Sequence, residues 1–480
     1  MSNQSNPQTQ SIKYLLLLPD GIGIRNFILT DFINRLIASG PVIVWHALPE
    51  ELVAPYQTEW GNKASWHQLP VHSEGHLPFL LRRGKNMAQL YWQSEPGTDV
   101  ILHYMTNRIG SGLRGLRNRL AAGLGKIFSH AHAGIITLDR LHARAVQKQA
   151  YFKAYLQFLQ QHQPAVVFCS HQRSERAVPA MLAARALNIP TATFIYSWDN
   201  LPKGRMAVHS DYFLVWSDHM RAEMLQYYPD INPERIFVVG TPQFEHYFNP
   251  NLTQSRTEFL KSLGLNPSRP TICFSGDDLT TSPFDSDYLA DLAEAVRNIP
   301  ESQRPQILFR RSPTDTTGRY NAVLSRYPEI VSSEPRWATL VDNDWSKVIP
   351  TPEDAQLLAN IVRHCDLVVN VGSTMALDFA IVGKPALYLA YNPASWTPDC
   401  NWNIEQVYRY PHFNHISRFE PVYWVRHPSD LGNLIVRALQ HPEELEPARQ
   451  RWVEFLVRTP LDQASARCVE ALQCITHEKQ

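Results

Sequence analysis

Several short segments of this chain place polar groups of useful chemistry beside small residues. The most specific is Gly372-Ser373-Thr374, which follows the apolar run Leu367 to Val371 and precedes Met375 to Val382, with Gly383-Lys384-Pro385 as the stop. A strand, a tight turn and a helix in that order bring free N–H groups and two hydroxyls to one point, where a phosphate can be held. Asp378 lies four residues beyond Thr374 on the same helix face and can accept from ribose hydroxyls. The alternative, in which Ser373 and Thr374 only cap the helix, stays open. Arg310 and Arg311 follow the run Gln306 to Phe309, and guanidinium forks suit a diphosphate leaving group; a surface pair is the alternative. Ser275-Gly276-Asp277 also follows an apolar run, and Gly276 allows close backbone approach to the same cleft. Near the N-terminus, Gly21 and Gly23 sit in Pro19 to Asn26, a turn either open to a ligand or simply tight. Asn26 stands where a dinucleotide fingerprint has its third glycine, so that reading is not supported.

A general base belongs across the cleft from the phosphates. Asp20, at the exit of the first apolar run, is the leading candidate, with Asp199, Glu175 and His171 also just past such runs. Each has a structural alternative: Asp20 as a turn cap, Asp199 as a brace for the Trp198–Asn200 loop. Two Asp-x-Asp triplets, Asp285-Ser286-Asp287 and Asp342-Asn343-Asp344, have the form that holds a divalent ion. The first reads as a helix start, where Asp is favoured for other reasons, and no metal is expected. Trp396, Trp402, Tyr408, Tyr410 and Phe413, with His412 and His415 among them, suit either a sugar-stacking wall or a satellite core.

The elements that position these residues are short apolar strands alternating with amphipathic helices. Strands are expected at Tyr14–Leu18, Val42–His46, Ala165–Cys169, Thr191–Ile195, Tyr212–Val215 and Ile236–Val239, with helices at Arg25–Ile37, Glu175–Leu187 and Asp218–Tyr227. Nearly continuous apolar strands are those of a parallel sheet covered on both faces. The alternation breaks at 240–256, rich in turn residues, which reads as an interdomain linker. It restarts with strands at Thr271–Phe274, Gln306–Arg310, Leu367–Asn370 and Ala386–Leu389 and helices at Asp285–Asn298, Pro352–His364 and Thr374–Val382. The fold class is α/β: two Rossmann-like domains, about 1–245 and 257–480, with a cleft between them. Three final helical stretches, 429–440, 443–456 and 464–477, are expected to cover one or both domains.

Residues 105–155 depart from this pattern. They hold nine Lys/Arg against one acid, Asp139, and five glycines fall between 110 and 125. Leu113, Leu116, Leu120, Leu124 and Phe128 recur at helical spacing among the cations. The segment reads as a mobile basic insert, suited to an anionic membrane surface or a lipid-linked diphosphate, or else as a solvated helical excursion.

Composition excludes other classes. The 480 residues carry 45 Lys+Arg and 45 Asp+Glu, so no basic field favours nucleic acid. No run approaches the ~20 apolar residues of a membrane span. The six cysteines form no CxxC pair and have no zinc spacing, they read as buried thiols, and the expected location is cytoplasmic, at most peripheral to a membrane.

The segment GSTMALDFAIVGKP, residues 372–385, resembles the donor-site helix of bacterial surface-polysaccharide glycosyltransferases of the GT-B fold. Similar stretches occur in CDP-glycerol glycerophosphotransferases and UDP-N-acetylglucosamine 2-epimerases. Ser197-Trp198-Asp199-Asn200, Phe213 to Trp216 and Val239 to Phe244 resemble the end of the N-terminal half in this group. Arg310-Arg311-Ser312-Pro313 stands where these enzymes often carry Lys-x-His-Pro. The resemblance implies a nucleotide diphosphate sugar as co-substrate on the C-terminal domain, no essential metal, and no other cofactor. It implies transfer to a polysaccharide or lipid-linked acceptor on the N-terminal domain. Epimerisation of the sugar without an acceptor, and a non-catalytic glycan- or partner-binding module, are the alternatives.

Overall fold

The computed structural model describes residues 12–93, 95–107, 110–207, 209–339 and 348–478. Asp342-Asn343-Asp344 and Arg108 lie outside the described residues. Seven parallel strands form the first sheet: β1 (Tyr14–Leu18), β2 (Val42–His46), β3 (Ala64–Gln68), β4 (Val166–Cys169), β5 (Thr191–Phe194), β6 (Tyr212–Val215) and β7 (Ile236–Val238), in the order β3-β2-β1-β4-β5-β6-β7. The second sheet has six parallel strands drawn from β8 (Thr271–Ser275), β9 (Gln306–Arg310), β10 (Val331–Ser333), β13 (Leu367–Asn370), β14 (Ala386–Leu389) and β15 (Tyr423–Val425), ordered β10-β9-β8-β13-β14-β15. A separate antiparallel pair joins β11 (Trp337–Thr339) to β12 (Val348–Pro350).

The apolar runs have the physical role expected of them. In β1, Tyr14, Leu16 and Leu18 enter one hydrophobic core while Leu15 and Leu17 enter another on the opposite face. A strand buried on both sides has no polar alternation to show. Among the described residues five short edge or hairpin strands, β3, β10, β11, β12 and β15, carry no such signal; in β3 Trp66 and His67 are half exposed.

Three features of the structure bear on the site. The helix expected over Arg25–Ile37 is broken into a π-helical turn, Ile24–Ile28, and an α-helix, Phe32–Ser39. The Leu29 N–H donates to the Ile24 carbonyl, and the Thr30 hydroxyl donates back to the Asn26 carbonyl at 2.9 Å, which ends the turn. The linker is ordered as two 3₁₀ stretches, Pro242–Phe248 and Pro250–Leu252, with Phe244 and Tyr247 buried. The last helix, Ala464–His477, crosses back to the first sheet, against Phe32–Ser39, β4 and β6.

The insert is helical, as its leucine spacing implies, and it is packed on the domain. Helices Gly112–Phe128 and His132–Gln147 both pack on His76–Trp92. One of its glycines serves that packing: a Cβ on Gly125 would stand 2.6 Å from the Met87 Cβ and 2.9 Å from the Gly84 carbonyl oxygen. Its one acid, Asp139, is spent inside, accepting from Lys85 Nζ at 2.8 Å and from Arg205 Nε at 2.8 Å. Among the described residues no helix is long and apolar enough to cross a membrane.

Candidate functional site

A cavity of about 260 Å³ lies between the two sheets and is lined from both. Its residues follow the carboxyl ends of strands: Arg25 after β1, Tyr196 to Trp198 after β5, Ser275 to Asp277 after β8, Arg310 to Pro313 at the end of β9, and Ser373 to Asp378 after β13. This is where open parallel sheets leave loops free to meet a ligand. Gln243 and Tyr247 of the linker complete the wall.

On the C-terminal side, Gly372 has φ +61° and a Cβ there would stand 3.1 Å from Phe413, so glycine serves both conformation and space. Asn370 Oδ1 accepts from the Ser373 N–H at 3.1 Å and fixes the turn. The Thr374 side chain makes no cap hydrogen bond to the helix Met375–Ile381. Asp378 is buried and accepts from the Tyr247 hydroxyl at 2.7 Å. Burial pushes its carboxyl up to about 6, against the pull of that hydrogen bond and of the nearby Arg25 and Arg310 charges.

Arg310 is buried and spends Nη2 on both oxygens of Asp354, at 3.0 and 3.1 Å, while Nη1 has no protein partner. Asp354 is otherwise held by the Arg336 N–H at 2.8 Å and the Trp337 indole at 2.7 Å. Arg311 has a looser role: its Nε lies 3.5 Å from the exposed Glu334 carboxylate. Arg25, which no sequence signal marked, reaches in from the N-terminal domain. Its Nη2 donates to Gln243 Oε1 at 2.5 Å, and burial lowers its proton affinity while Asp378 and Tyr247 raise it.

Gly276 packs under Tyr320, whose hydroxyl would stand 2.7 Å from a Cβ there. Its neighbour Asp277 lines the cavity and is pushed up to about 8, first by burial and then by Asp278 and Asp285. Asp285 receives the Asp277 N–H at 2.5 Å and the Tyr320 hydroxyl at 3.2 Å, whereas Asp287 of the same triplet accepts from Ser395. The two carboxylates of Asp285-Ser286-Asp287 are thus engaged in different places, and among the described residues no cluster of three or more ligating side chains has the form of a metal site.

Asp277 makes a stability prediction. Its proton is held more tightly in the fold, at about 8, than in an unfolded chain, at about 3.9. Stability from this group therefore falls as pH rises between those values. Asp277→Asn keeps an acceptor for the Asp278 N–H but carries no charge. Melting curves are expected to show the variant above the parent near pH 8.5 and level with it near pH 4, by the same linkage.

On the N-terminal side the structure joins two of the four base candidates. Asp20 Oδ2 contacts His171 Nδ1, the Ile22 N–H donates to Asp20 Oδ1 at 3.2 Å, and His171 Nε2 has no partner. Nδ1–H donated to a carboxylate leaves Nε2 as the acceptor lone pair. The imidazole stands edge-on to Tyr196, at 4.2 Å between centroids, and Tyr196 lines the cavity. Asp199 is used otherwise. It accepts from Ser197 at 2.5 Å, Asn200 at 2.9 Å and Lys203, and the Lys203 charge holds it far below the usual carboxylate range despite its burial. A carboxylate so committed braces its loop and is a poor base.

The Gly21–Gly23 turn is filled by protein rather than open. A Cβ on Gly21 would overlap the Val348 carbonyl oxygen of β12, and one on Gly23 would stand 2.5 Å from Leu18. The aromatic stretch is core: Tyr408 packs with Tyr388, Phe413 and Trp424, and Trp402 with Phe284. Its link to the cavity is Trp198, which His412 meets edge-on at 5.1 Å.

No protein-family model matches the chain, and no curated protein matches it in sequence. Solved structures do match its fold. A protein of Listeria monocytogenes, described as a candidate UDP-N-acetylglucosamine 2-epimerase, aligns over 98% of both chains with a TM-score of 0.53 and 10% identity. A glycosyltransferase of Rickettsia africae aligns over 97% of this chain and 99% of its own, with a TM-score of 0.52 and 10% identity. The UDP-GlcNAc 2-epimerase of Neisseria meningitidis, solved with UDP-GlcNAc bound, aligns over 96% of this chain and all of its own, with a TM-score of 0.50 and 11% identity. The fold is therefore GT-B, shared by glycosyltransferases and nucleotide-sugar epimerases; at such identities the likeness is one of fold.

Proposed function

We propose that the chain is a glycosyltransferase that binds a nucleotide diphosphate sugar in the cleft and moves the sugar to a hydroxyl acceptor. The observation that carries this reading is the Asp20–His171 pair, a carboxylate-oriented imidazole whose buried Nε2 has no protein partner and whose ring packs against Tyr196 of the cavity wall. In the proposed step, Nε2 takes the acceptor proton as the acceptor oxygen bonds to the anomeric carbon and the bond to the diphosphate breaks. Negative charge growing on the diphosphate is met by Arg310, whose Nη1 is uncommitted, and by Arg25. The ribose lies against Asp378 and the phosphates against Gly372 to Thr374, with Gly276 and Arg311 flanking them. The acceptor is a glycan or a lipid-linked chain.

A second reading, epimerisation, is favoured by Asp277. Its raised proton affinity gives the C-terminal wall an acid in its protonated form at neutral pH, a partner for His171 in moving protons on a bound sugar. The experiment that tests both begins with melting curves in nucleotides and nucleotide sugars. A ligand at a hundredfold over its dissociation constant stabilises by ~2.7 kcal/mol. A nucleoside diphosphate is expected to give the largest shift, and absence of any shift with the common diphosphates refutes the donor site and leaves the non-catalytic module. Incubation of the bound sugar nucleotide without acceptor, followed by analysis of sugar stereochemistry, then separates transferase from epimerase.

A further inference from the structure

Helix Gly112–Phe128 buries Gly115, Asn118, Ala121 and Gly125 against the rest of the protein. Its opposite face is apolar and uncovered: Leu113 is 87% exposed, Leu116 49%, Leu120 58% and Ile127 69%. At ~100° per residue these four side chains fall within an arc of about 60°. Among the described residues nine large apolar side chains are exposed, and four of them make this one stripe, so it is not the ordinary scatter of surface leucines. Exposed Arg119 and Lys126 run along one side of it and exposed Arg114 stands in the helix's first turn, while the insert's single acid, Asp139, is tied to Lys85 and Arg205, so no acid of the insert offsets these charges.

We propose that this face docks the protein on an anionic lipid surface, with the four apolar side chains at the headgroup–acyl boundary and the flanking cations on lipid phosphates. An amphipathic helix with cations beside a narrow apolar stripe has the form that lies in a membrane interface. A second copy of the chain fits worse, because a two-fold contact through this stripe brings its own cations together. The stripe is also connected to the cleft. The helix beneath it, His76–Trp92, carries Lys85, which donates to the Ala207 carbonyl at 2.5 Å, and ends at Gln93, which donates to the Pro202 carbonyl at 3.2 Å. Both carbonyls belong to the segment that runs on from Ser197 and Trp198 in the cavity wall. Resting on the transferase reading, this placement makes a lipid-borne acceptor the natural one, since a docked protein holds its acceptor wall one helix from the lipid surface.

The test uses the full chain and sedimentation with vesicles of phosphatidylcholine alone or mixed with phosphatidylglycerol. Binding to the mixed vesicles is expected to exceed binding to the neutral ones by about 100-fold, from three cations at the surface, and to be reduced by salt. Replacing Leu113, Leu116, Leu120 and Ile127 together by Gln, which keeps helix propensity, is expected to abolish binding with an unchanged melting curve. Replacing Arg114, Arg119 and Lys126 by Gln is expected to remove the preference for the anionic vesicles. Equal binding to both vesicle types, no binding to either, or a parent dimer that the Gln variant converts to monomer overturns the proposal. Vesicle binding by a protein whose melting no nucleotide shifts upholds the docking surface while removing the transferase reading.

Discussion

His171→Asn and Asp20→Asn are each expected to cut turnover by about 10² to 10⁴, the usual contribution of a positioned acid–base group. Donor affinity should stay within a few-fold, because neither side chain is placed at the nucleotide. The two variants fail for different reasons. His171→Asn removes the lone pair at Nε2. Asp20→Asn leaves the ring but withdraws the carboxylate that holds the Nδ1 proton and so orients Nε2 as acceptor. Because the pair acts as a unit, the double variant should be little worse than either single one. The measurement is kcat and KM for each variant, beside isothermal titration with nucleoside diphosphate and a melting curve. Melting points that fall while kcat holds would reduce Asp20 and His171 to a structural pair joining the exits of β1 and β4.

Both halves of that pair were visible as residues following apolar runs, but their contact was not. Asp20 and His171 are 151 positions apart, and β1 and β4 become neighbours only because the chain crosses over through β2, β3 and the helical insert. The same physics made the fold legible. Strands covered on both faces must be apolar throughout, so β1, β2, β6, β9, β13 and β14 stand out from their flanks with correct limits. Strands at edges escape that demand. β3 shows Ser65 exposed and Trp66 half buried, and β10 has three residues with only Ser333 buried, so neither carries an unbroken apolar signature.

Other misreadings have the same origin in long-range packing. Five glycines in sixteen residues suggested mobility, yet Gly125 is there because two helices touch at it. Gly21 suggested a turn open to ligand, yet the space is taken by the β12 backbone, more than three hundred residues along the chain. Arg25 sat unnoticed inside an expected helix because a single cation on an amphipathic pattern reads as a solvated face. The π-helical turn at Ile24–Ile28 and the ordered linker carrying Gln243 direct it inward instead, and neither had a local sequence signature. Asp199 follows an apolar run as a base candidate should, but Lys203, one helical turn on, claims its charge.

Spacing alone proposes Asp378 as the acceptor of ribose hydroxyls, and its surroundings sharpen what its replacement should do. The carboxyl is buried, raised to about 6, and already accepts the Tyr247 hydroxyl at 2.7 Å. Above that value it is ionised and its remaining lone pairs can take ribose hydroxyls as charge-assisted bonds; below it the group is neutral and those bonds weaken. Hydrogen bonds to a charged group contribute ~1.5–3 kcal/mol, which is about tenfold to 150-fold in affinity. Nucleoside diphosphate binding by the parent is therefore expected to weaken as pH falls through about 6. Asp378→Asn, uncharged throughout, should bind about tenfold to 150-fold more weakly near neutrality and lose this pH dependence. Thr374→Val separates the ribose from the phosphates: with no cap hydrogen bond to lose, the helix should stand, and affinity should fall for the diphosphate more than for the nucleoside. Titrations of parent and both variants with nucleoside and nucleoside diphosphate, at about pH 5 and about pH 7.5, decide the matter on either side of the carboxyl's value. Parallel pH profiles for parent and Asp378→Asn would place the ribose elsewhere in the cleft and leave Asp378 as the residue that ties the linker, through Tyr247, to the second domain.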